Sequence, residues 1–402
     1  MIGTLAALQE RHPLLRARIE RRGARPWFVF PPEVPPIPYQ RRAVPAAGWK
    51  EAVEDELRQP VPADRAPLAR AVLFDHGDDA ATFAVFHHHS IGDGAGALAA
   101  LRDLLWDAVT GAPRVTIVHA RSLAAEASLP ARARGVFGGL RRLRTVAGIA
   151  ADGLRHRDPL RVPVRQVAAP HERTYHVELV TLDATTTTQL AARARAAQAT
   201  VHGAIAAALL FAIARAAGVS SERVVAFGSP INVRDLLSPS PGEQLGLYLG
   251  VSQWKGTLAP DTSFWTLARE VRERIADDLE SGRAVDSLPL IDLFYEAIGG
   301  DKASREDFGR KWAESNGTGG LTNMGRLELE PPPGVTVERV MPFGFPSGLD
   351  VVNALASSYR GELTVGVNWP EPCFDRSGAR ALVDDLRATL AAATSGDPRL
   401  AA

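Results

Sequence analysis

The sequence predicts a two-lobed α/β (α+β) protein, and three observations carry that reading. The chain has 402 residues, well beyond the usual domain of about 100–150. Helical and strand periodicities are interleaved in both halves rather than segregated. Between 111 and 173 the character of the chain changes, with an Arg-rich part over 131–161 and Pro159, Pro163 and Pro170 at and beyond its end. The expected division is 1–160 for a first lobe, 161–173 for a linker and 174–402 for a second lobe.

The first lobe opens on Leu5, Leu8, Leu14, Leu15 and Ile19, a helical stripe with an extended exit after Pro13. The five prolines within 31–38 exclude regular helix and central strand there. Glu51 to Leu57 reads as a short helix. Leu68 to Phe74 and Ala81 to Phe86 read as strands joined by a turn at His76-Gly77-Asp78-Asp79. Ala95 to Val109 returns to helical period, with Leu98, Leu101, Leu104 and Leu105 on one face. Within 131–161 eight Arg stand against two acids, Asp152 and Asp158, and the stretch reads as one amphipathic basic helix.

The second lobe starts with a strand, Tyr175 to Leu182, and a helix, Ala184 to Ala197. An apolar helix from Val201 to Ala217 follows, with Thr200 as its N-cap and Gly218 as its stop. Strands are expected at Val224 to Val233 and Leu245 to Trp254, then helices at 262–281 and 287–298. Further strands fall near Gly320 to Gly325, Val335 to Met341, Leu349 to Ser357 and Glu362 to Asn368. A helix from Asp375 to Ala393 closes the chain.

Composition excludes several classes. Lys+Arg and Asp+Glu both number 46, so the net charge is zero and the basic footprint of a nucleic-acid binder is missing. Apolar residues at 46% and charged residues at 23% argue against a disordered scaffold. A single cysteine, Cys373, allows no internal disulfide and no Cys-pair metal site. With no secretory signal, the expectation is a cytoplasmic monomer. The longest apolar run, Ala204 to Ala214, falls short of the ~20 residues of a membrane span and predicts a buried helix instead.

The densest chemistry is Phe86-His87-His88-His89-Ser90-Ile91-Gly92-Asp93-Gly94-Ala95-Gly96, between a strand and a helix. A plain connecting loop is one reading, although three adjacent imidazoles at a strand end are unusual. A phosphate cradle is disfavoured, because the glycine spacing departs from G-x-G-x-x-G and no ribose-binding acid follows. Metal ligation is disfavoured too, since neighbouring strand residues point to opposite faces and no H-E-x-x-H occurs. What remains is His88-His89-x-x-x-Asp93-Gly94, with one imidazole free to act as a base on an attacking alcohol or amine. Asp93 would hold the loop's shape, and the glycines would permit positive φ or close approach.

That motif resembles H-H-x-x-x-D-G, the signature of the chloramphenicol-acetyltransferase-like superfamily. Its members include peptide-synthetase condensation domains, polyketide-associated acyltransferases of mycobacteria and wax ester synthases. Other segments resemble it in the same order. Leu8-Gln9-Glu10-Arg11-His12-Pro13-Leu14-Leu15-Arg16 is similar to the family's first helix, and Gln198 to Leu210 to the helix opening its second lobe. Pro230-Ile231-Asn232-Val233-Arg234 is similar to its "P-v-N-x-R" strand, and Leu321-Thr322-Asn323-Met324-Gly325 to its "S/T-N-x-G" segment.

The resemblance implies two lobes arranged as a V, each a mixed sheet with helices, and an active-site tunnel at their interface. It implies His89 as general base, with His88, Asp93, Gly94 and Arg234 as structural members of the motif and an Asp93–Arg234 pair between the lobes. Asn323 and Ser90 are expected at the tunnel, although Asn323 could merely cap a strand. Arg141, Arg142 and Arg144 form either an ordinary solvated helix face or a contact for donor phosphates or a carrier protein. His202 is expected to pack at a helix start, and Cys373 to be no nucleophile. The activity implied is transfer of an acyl group from a coenzyme A or phosphopantetheinyl thioester to a small-molecule hydroxyl, with no bound cofactor or metal. A free-standing condensation domain that forms an amide between carrier-bound substrates is the alternative, and a non-catalytic docking relative is a third. The chain lacks the D-F-G-W-G of the plant branch. The family's first helix normally follows a strand and a polar lead, whereas here it begins at residue 2, so the expectation is a shortened start and an exposed sheet edge.

Overall fold

The structure is a computed structural model, and it describes residues 1–23, 25–114, 124, 126–166, 168, 172–290, 317–344 and 352–395. Helix α1 (Ile2–Arg11) buries Leu5 and Leu8 and leads through a 3₁₀ turn at Pro13–Arg16 into a hairpin of β1 (Arg18–Arg22) and β2 (Arg25–Val29). A three-stranded sheet follows in the order β3 (Tyr39–Ala43), β4 (Ala69–Gly77), β5 (Ala80–His87), with α2 (Trp49–Leu57) between the first two. The turn between β4 and β5 falls where expected, with positive φ at Gly77, Asp78 and Asp79. Strand β5 runs into α3 (Gly94–Thr110) through the histidine loop.

The basic stretch forms α4 (Gly135–Arg155). Its side-chain contacts run to the second half of the chain: Arg141 meets Asp286 and the Ser281 carbonyl, and Asp152 lies 3.9 Å from Lys255. The expected division places this helix within 1–160, the first lobe. The second half is built on a six-stranded mixed sheet in the order β6-β11-β10-β9-β7-β8. Its strands are β6 (Thr174–Leu182), β7 (Arg223–Asn232), β8 (Leu249–Leu258), β9 (Gly319–Arg326), β10 (Val352–Tyr359) and β11 (Glu362–Glu371). Helices α5 (Ala184–Ala196), α6 (Val201–Ala216), α7 (Phe264–Glu280) and α9 (Arg376–Ser395) accompany it, with a single turn, α8 (Arg283–Asp286), after α7.

Helix α6 explains the longest apolar run in the sequence. It is Ala-rich because it is enclosed: every residue from Gly203 to Leu210 is buried, in the core shared with β7, β9, β10, β11 and α9. Small side chains let neighbours approach its backbone, and a Cβ at Gly203 would lie 2.2 Å from the Ala268 carbonyl oxygen of α7. Thr200 caps it by accepting from the Gly203 N–H, and Gly218 follows its end at φ +64°. Among the described residues no single helix is long and apolar enough to cross a membrane.

Two of the expected strands differ in the structure. Residues 335–341 are irregular rather than a strand. The alternation there is real, but Pro331, Pro332, Pro333 and Pro342 bracket it, and Val337 and Val340 instead pack against Leu327, Leu329 and Tyr359. Strand β8 begins at Leu249 rather than Leu245, because 242–248 leave the sheet to reach the first lobe. The helix expected over 287–298 and the strand start expected at 349 lie partly outside the described residues.

Candidate active site

The histidine loop is held from both sides. Strand β5 ends at His87, paired with Ala69, and the His88 N–H donates to the Leu68 carbonyl at 2.9 Å. His89, Ser90 and Ile91 then make one 3₁₀ turn, and Ile91 is fully buried in the first-lobe core. Asp93 is the N-cap of α3, its Oδ1 accepting from the Gly96 N–H at 3.0 Å. At its other end α3 is clamped by Arg11 of α1, which lies 2.9 Å from Asp107 and 3.4 Å from Asp103, all buried. The start of α3 therefore cannot drift relative to the body of the lobe.

The three imidazoles are set differently. His87 Nδ1 lies 3.2 Å from the His88 carbonyl, and burial pushes its pKa below the ordinary value. His88 Nδ1 accepts from the Ser90 N–H at 3.3 Å and sits 2.7 Å from Ser90 Oγ, so its proton belongs on Nε2. Burial, with the neighbouring His89, also lowers the His88 pKa. His89 is the reverse case: Nδ1 lies 3.0 Å from the Gly92 carbonyl, which can only accept. Its proton therefore belongs on Nδ1, and Nε2 keeps a free lone pair. His89 is also exposed where the other two are half-buried. Two adjacent histidines thus hold opposite tautomers, and only one presents a basic nitrogen outward.

Asp93 and Arg234 meet across the lobes as the resemblance implied. Asp93 is 1% exposed, and its Oδ2 accepts from Arg234 Nη1 and, at 2.9 Å, from the Tyr248 N–H. The Asp93 N–H donates to the Gly246 carbonyl at 3.1 Å. Arg234 is equally committed: Nε donates to Gly242 O and Nη2 to Gln244 O, each at 2.9 Å, while its guanidinium stacks 4.6 Å from the Tyr248 ring. Each of the three guanidinium nitrogens and both Asp93 oxygens has a partner, which offsets the cost of burying the pair. Leu245, in the same connection, inserts into the first-lobe core beside Ile91 and Leu104.

The glycines serve packing rather than unusual backbone. None of Gly92, Gly94 and Gly96 has positive φ. A Cβ at Gly96 would lie 2.8 Å from the Gln244 carbonyl and 2.9 Å from Arg234 Nη2, and one at Gly94 would lie 2.7 Å from Met324 Sδ. Ser90 is tied to His88, and the Asn323 side chain accepts from the Gly325 N–H at 2.8 Å within its own turn. In that segment it is Met324 that touches the histidine helix. Arg141 is taken up by Asp286, Arg142 is half-buried and Arg144 is exposed. His202 sits in the first turn of α6, 2.9 Å from Ser229 Oγ, and Cys373 is fully buried. Sequence reasoning missed Tyr248, Met324 and the carbonyls of Gly242, Gln244 and Gly246. The Gly242-x-x-x-Gly246 spacing, eight residues past Arg234, was the available signal.

Two halves, each a mixed sheet with helices, thus meet at the His87–Gly96 loop through the Asp93–Arg234 pair. Residues 171–368, just under half of the chain, match the family described as phthiocerol/phthiodiolone dimycocerosyl transferase C-terminus, and the chain as a whole has the two-lobed fold of condensation-type proteins. Among solved structures it is similar to polyketide synthase associated protein 5 from Mycobacterium tuberculosis, with 16% identity, 98% of this chain and 90% of that one covered, and a TM-score of 0.69. The first condensation domain of the calcium-dependent antibiotic synthetase is similar at 17% identity, 98% and 88% coverage and a TM-score of 0.67. The X-domain from teicoplanin biosynthesis follows at 17% identity, 99% and 87% coverage and a TM-score of 0.63. No curated protein sequence matches the chain significantly.

Proposed function

We propose that the protein is an acyltransferase that moves an acyl group from a coenzyme A or carrier-protein thioester to a hydroxyl acceptor. The observation that carries this is the His89 tautomer: Nδ1 is occupied by the Gly92 carbonyl, and Nε2 is a free base on an exposed ring. In this reading Nε2 takes the proton as the acceptor oxygen attacks the thioester carbonyl carbon. The tetrahedral intermediate then expels the thiolate, the C–S bond breaks, and the proton passes from Nε2 to sulfur. The product is an ester and a free thiol, and the imidazole is restored. His88 is a spectator, since its Nδ1 lone pair faces Ser90. Asp93 and Arg234 position the loop without touching substrate.

A second reading, amide formation between carrier-bound substrates, draws support from the similarity to a condensation domain. One experiment separates the two. Acyl-CoA and acyl-carrier donors of graded chain length are incubated with hydroxyl and amine acceptors, following thiol release and product mass. Ester formation that falls about 10²–10⁴-fold in His89→Ala, with an unchanged unfolding midpoint, is the expected result. Near-wild-type turnover in that variant would sink the assignment, and amide as sole product would select the second reading.

A further inference from the structure

Helix α4 is amphipathic in the wrong direction for a helix packed on a protein. An ordinary surface helix turns its apolar stripe to the core and its charges to water. Here Gly138, Arg141, Thr145 and Asp152, spaced three, four and seven apart, form the face toward the body. That face is held by polar contacts: Arg141 to Asp286 and to the Ser281 carbonyl, and Asp152 toward the buried Lys255. The opposite face carries Val136, Leu140, Leu143, Ala147 and Leu154, and all five are exposed. The exposure is large, 80% at Val136, 68% at Leu143 and 63% at Leu154, and Phe137 beside them is 78% exposed.

An apolar stripe of this length is rarely left in water on a soluble monomer. The charges around it indicate what covers it. Arg144 and Arg155 flank the stripe, and Arg157 follows the helix end, all three exposed. Within 131–161 there are eight Arg and two acids, in a chain whose formal charges sum to zero. Leu, Val and Phe outward with arginines at the margins is the pattern of a helix lying in the headgroup layer of an anionic bilayer. We infer that α4 is an interfacial helix that docks this protein on anionic membrane surfaces, with the Val136–Leu140–Leu143–Leu154 stripe entering the acyl boundary and the flanking arginines meeting lipid phosphates. The inference is independent of the acyl-transfer reading, since it rests on α4 alone.

The test uses the full chain and vesicles of phosphatidylcholine with about one-third phosphatidylglycerol, against pure phosphatidylcholine. Co-sedimentation should favour the anionic vesicles by about tenfold or more and weaken with salt. Leu140→Gln/Leu143→Gln/Leu154→Gln should abolish partition to both vesicle types, and Arg144→Gln/Arg155→Gln/Arg157→Gln should remove the anionic preference alone. All six positions are exposed, and an unchanged thermal midpoint shows that the fold is kept. Equal partition of wild type and the leucine variant would overturn the proposal. So would a wild type that ignores vesicles and sediments as a dimer which the leucine variant dissociates, because the stripe's occupant would then be a second copy. Loss of transfer from carrier-bound donors in the arginine variant, with vesicle binding untouched, would overturn it in favour of a carrier protein.

Discussion

The first and second halves of the chain meet at two polar junctions of opposite character. At the histidine loop, Asp93 and Arg234 are buried and each engages several partners, and Leu245 seals the contact with apolar packing. At the other junction α2 faces β6 across a cleft of about 440 Å³ lined by Lys50, Glu54, His176 and Glu178 among others. Contacts there are looser: Lys50 lies 3.4 Å from Glu178 and 3.5 Å from Glu54, and His176 Nδ1 lies 3.8 Å from Glu54. The Val177 N–H donates to the Glu54 carboxylate at 3.2 Å, tying backbone to side chain across it. The dry junction fixes a geometry, the tautomer and aim of His89. The wet one leaves Lys50 and Glu178 partly exposed, so solvent can share the work of meeting their charges beside the buried Glu54 and His176.

The largest test of that contrast is Asp93→Ala. It strands the Arg234 guanidinium without its carboxylate in a dry site and frees the Tyr248 N–H, so the expected loss is about 3–5 kcal/mol. Denaturant midpoints and soluble yield read it out. A fall of less than ~1 kcal/mol would make the two junctions equivalent and remove the structural role given to Asp93. Next in size is Gly96→Ala, where the new methyl meets the Gln244 backbone carbonyl and should cost about 1–3 kcal/mol. Gly94→Ala meets only the flexible end of Met324 and should cost less than Gly96→Ala. A reversed order would mean that the connection over 242–246 yields more easily than a methionine side chain.

Much of the dry junction was legible because its residues are special in type as well as place. His89, Asp93 and Arg234 stand in short motifs, and the Asp93–Arg234 pairing across 141 positions follows the resemblance. Helix α6 was legible from composition, since an uninterrupted Ala-rich run between Thr200 and Gly218 has few other fates. The partners of Arg234 were not, because they are backbone carbonyls, and a carbonyl leaves no trace in residue identity. The orientation of α4 was hidden for a different reason. Periodicity shows that a helix has an apolar stripe but not which way the stripe faces, and here it faces outward. Residues 335–341 misled because strand alternation does not supply a strand partner.

At the wet junction the expected effects are smaller and depend on pH. Burial alone would raise the Glu54 pKa, but the His176 contact, the Lys50 charge and the Val177 N–H together hold it below its ordinary value of 4.5. A depressed carboxyl pKa contributes stability that is present above the unfolded value and lost as pH falls through the folded one. Glu54→Gln should therefore cost about 1 kcal/mol near neutrality and flatten the acid limb below pH 4.5. His202 would obscure this, because burial lowers its pKa from 6.5 to about 4, so the folded state resists its protonation and stability falls as pH drops through that interval. His202→Gln can still hydrogen-bond Ser229 and removes that titration. Denaturant titrations of the single and double variants then resolve two windows: His202 governs the slope between pH 6.5 and about 4, and Glu54 the slope below 4.5. An acid limb unchanged in the double variant would place the acid sensitivity outside both Glu54 and His202.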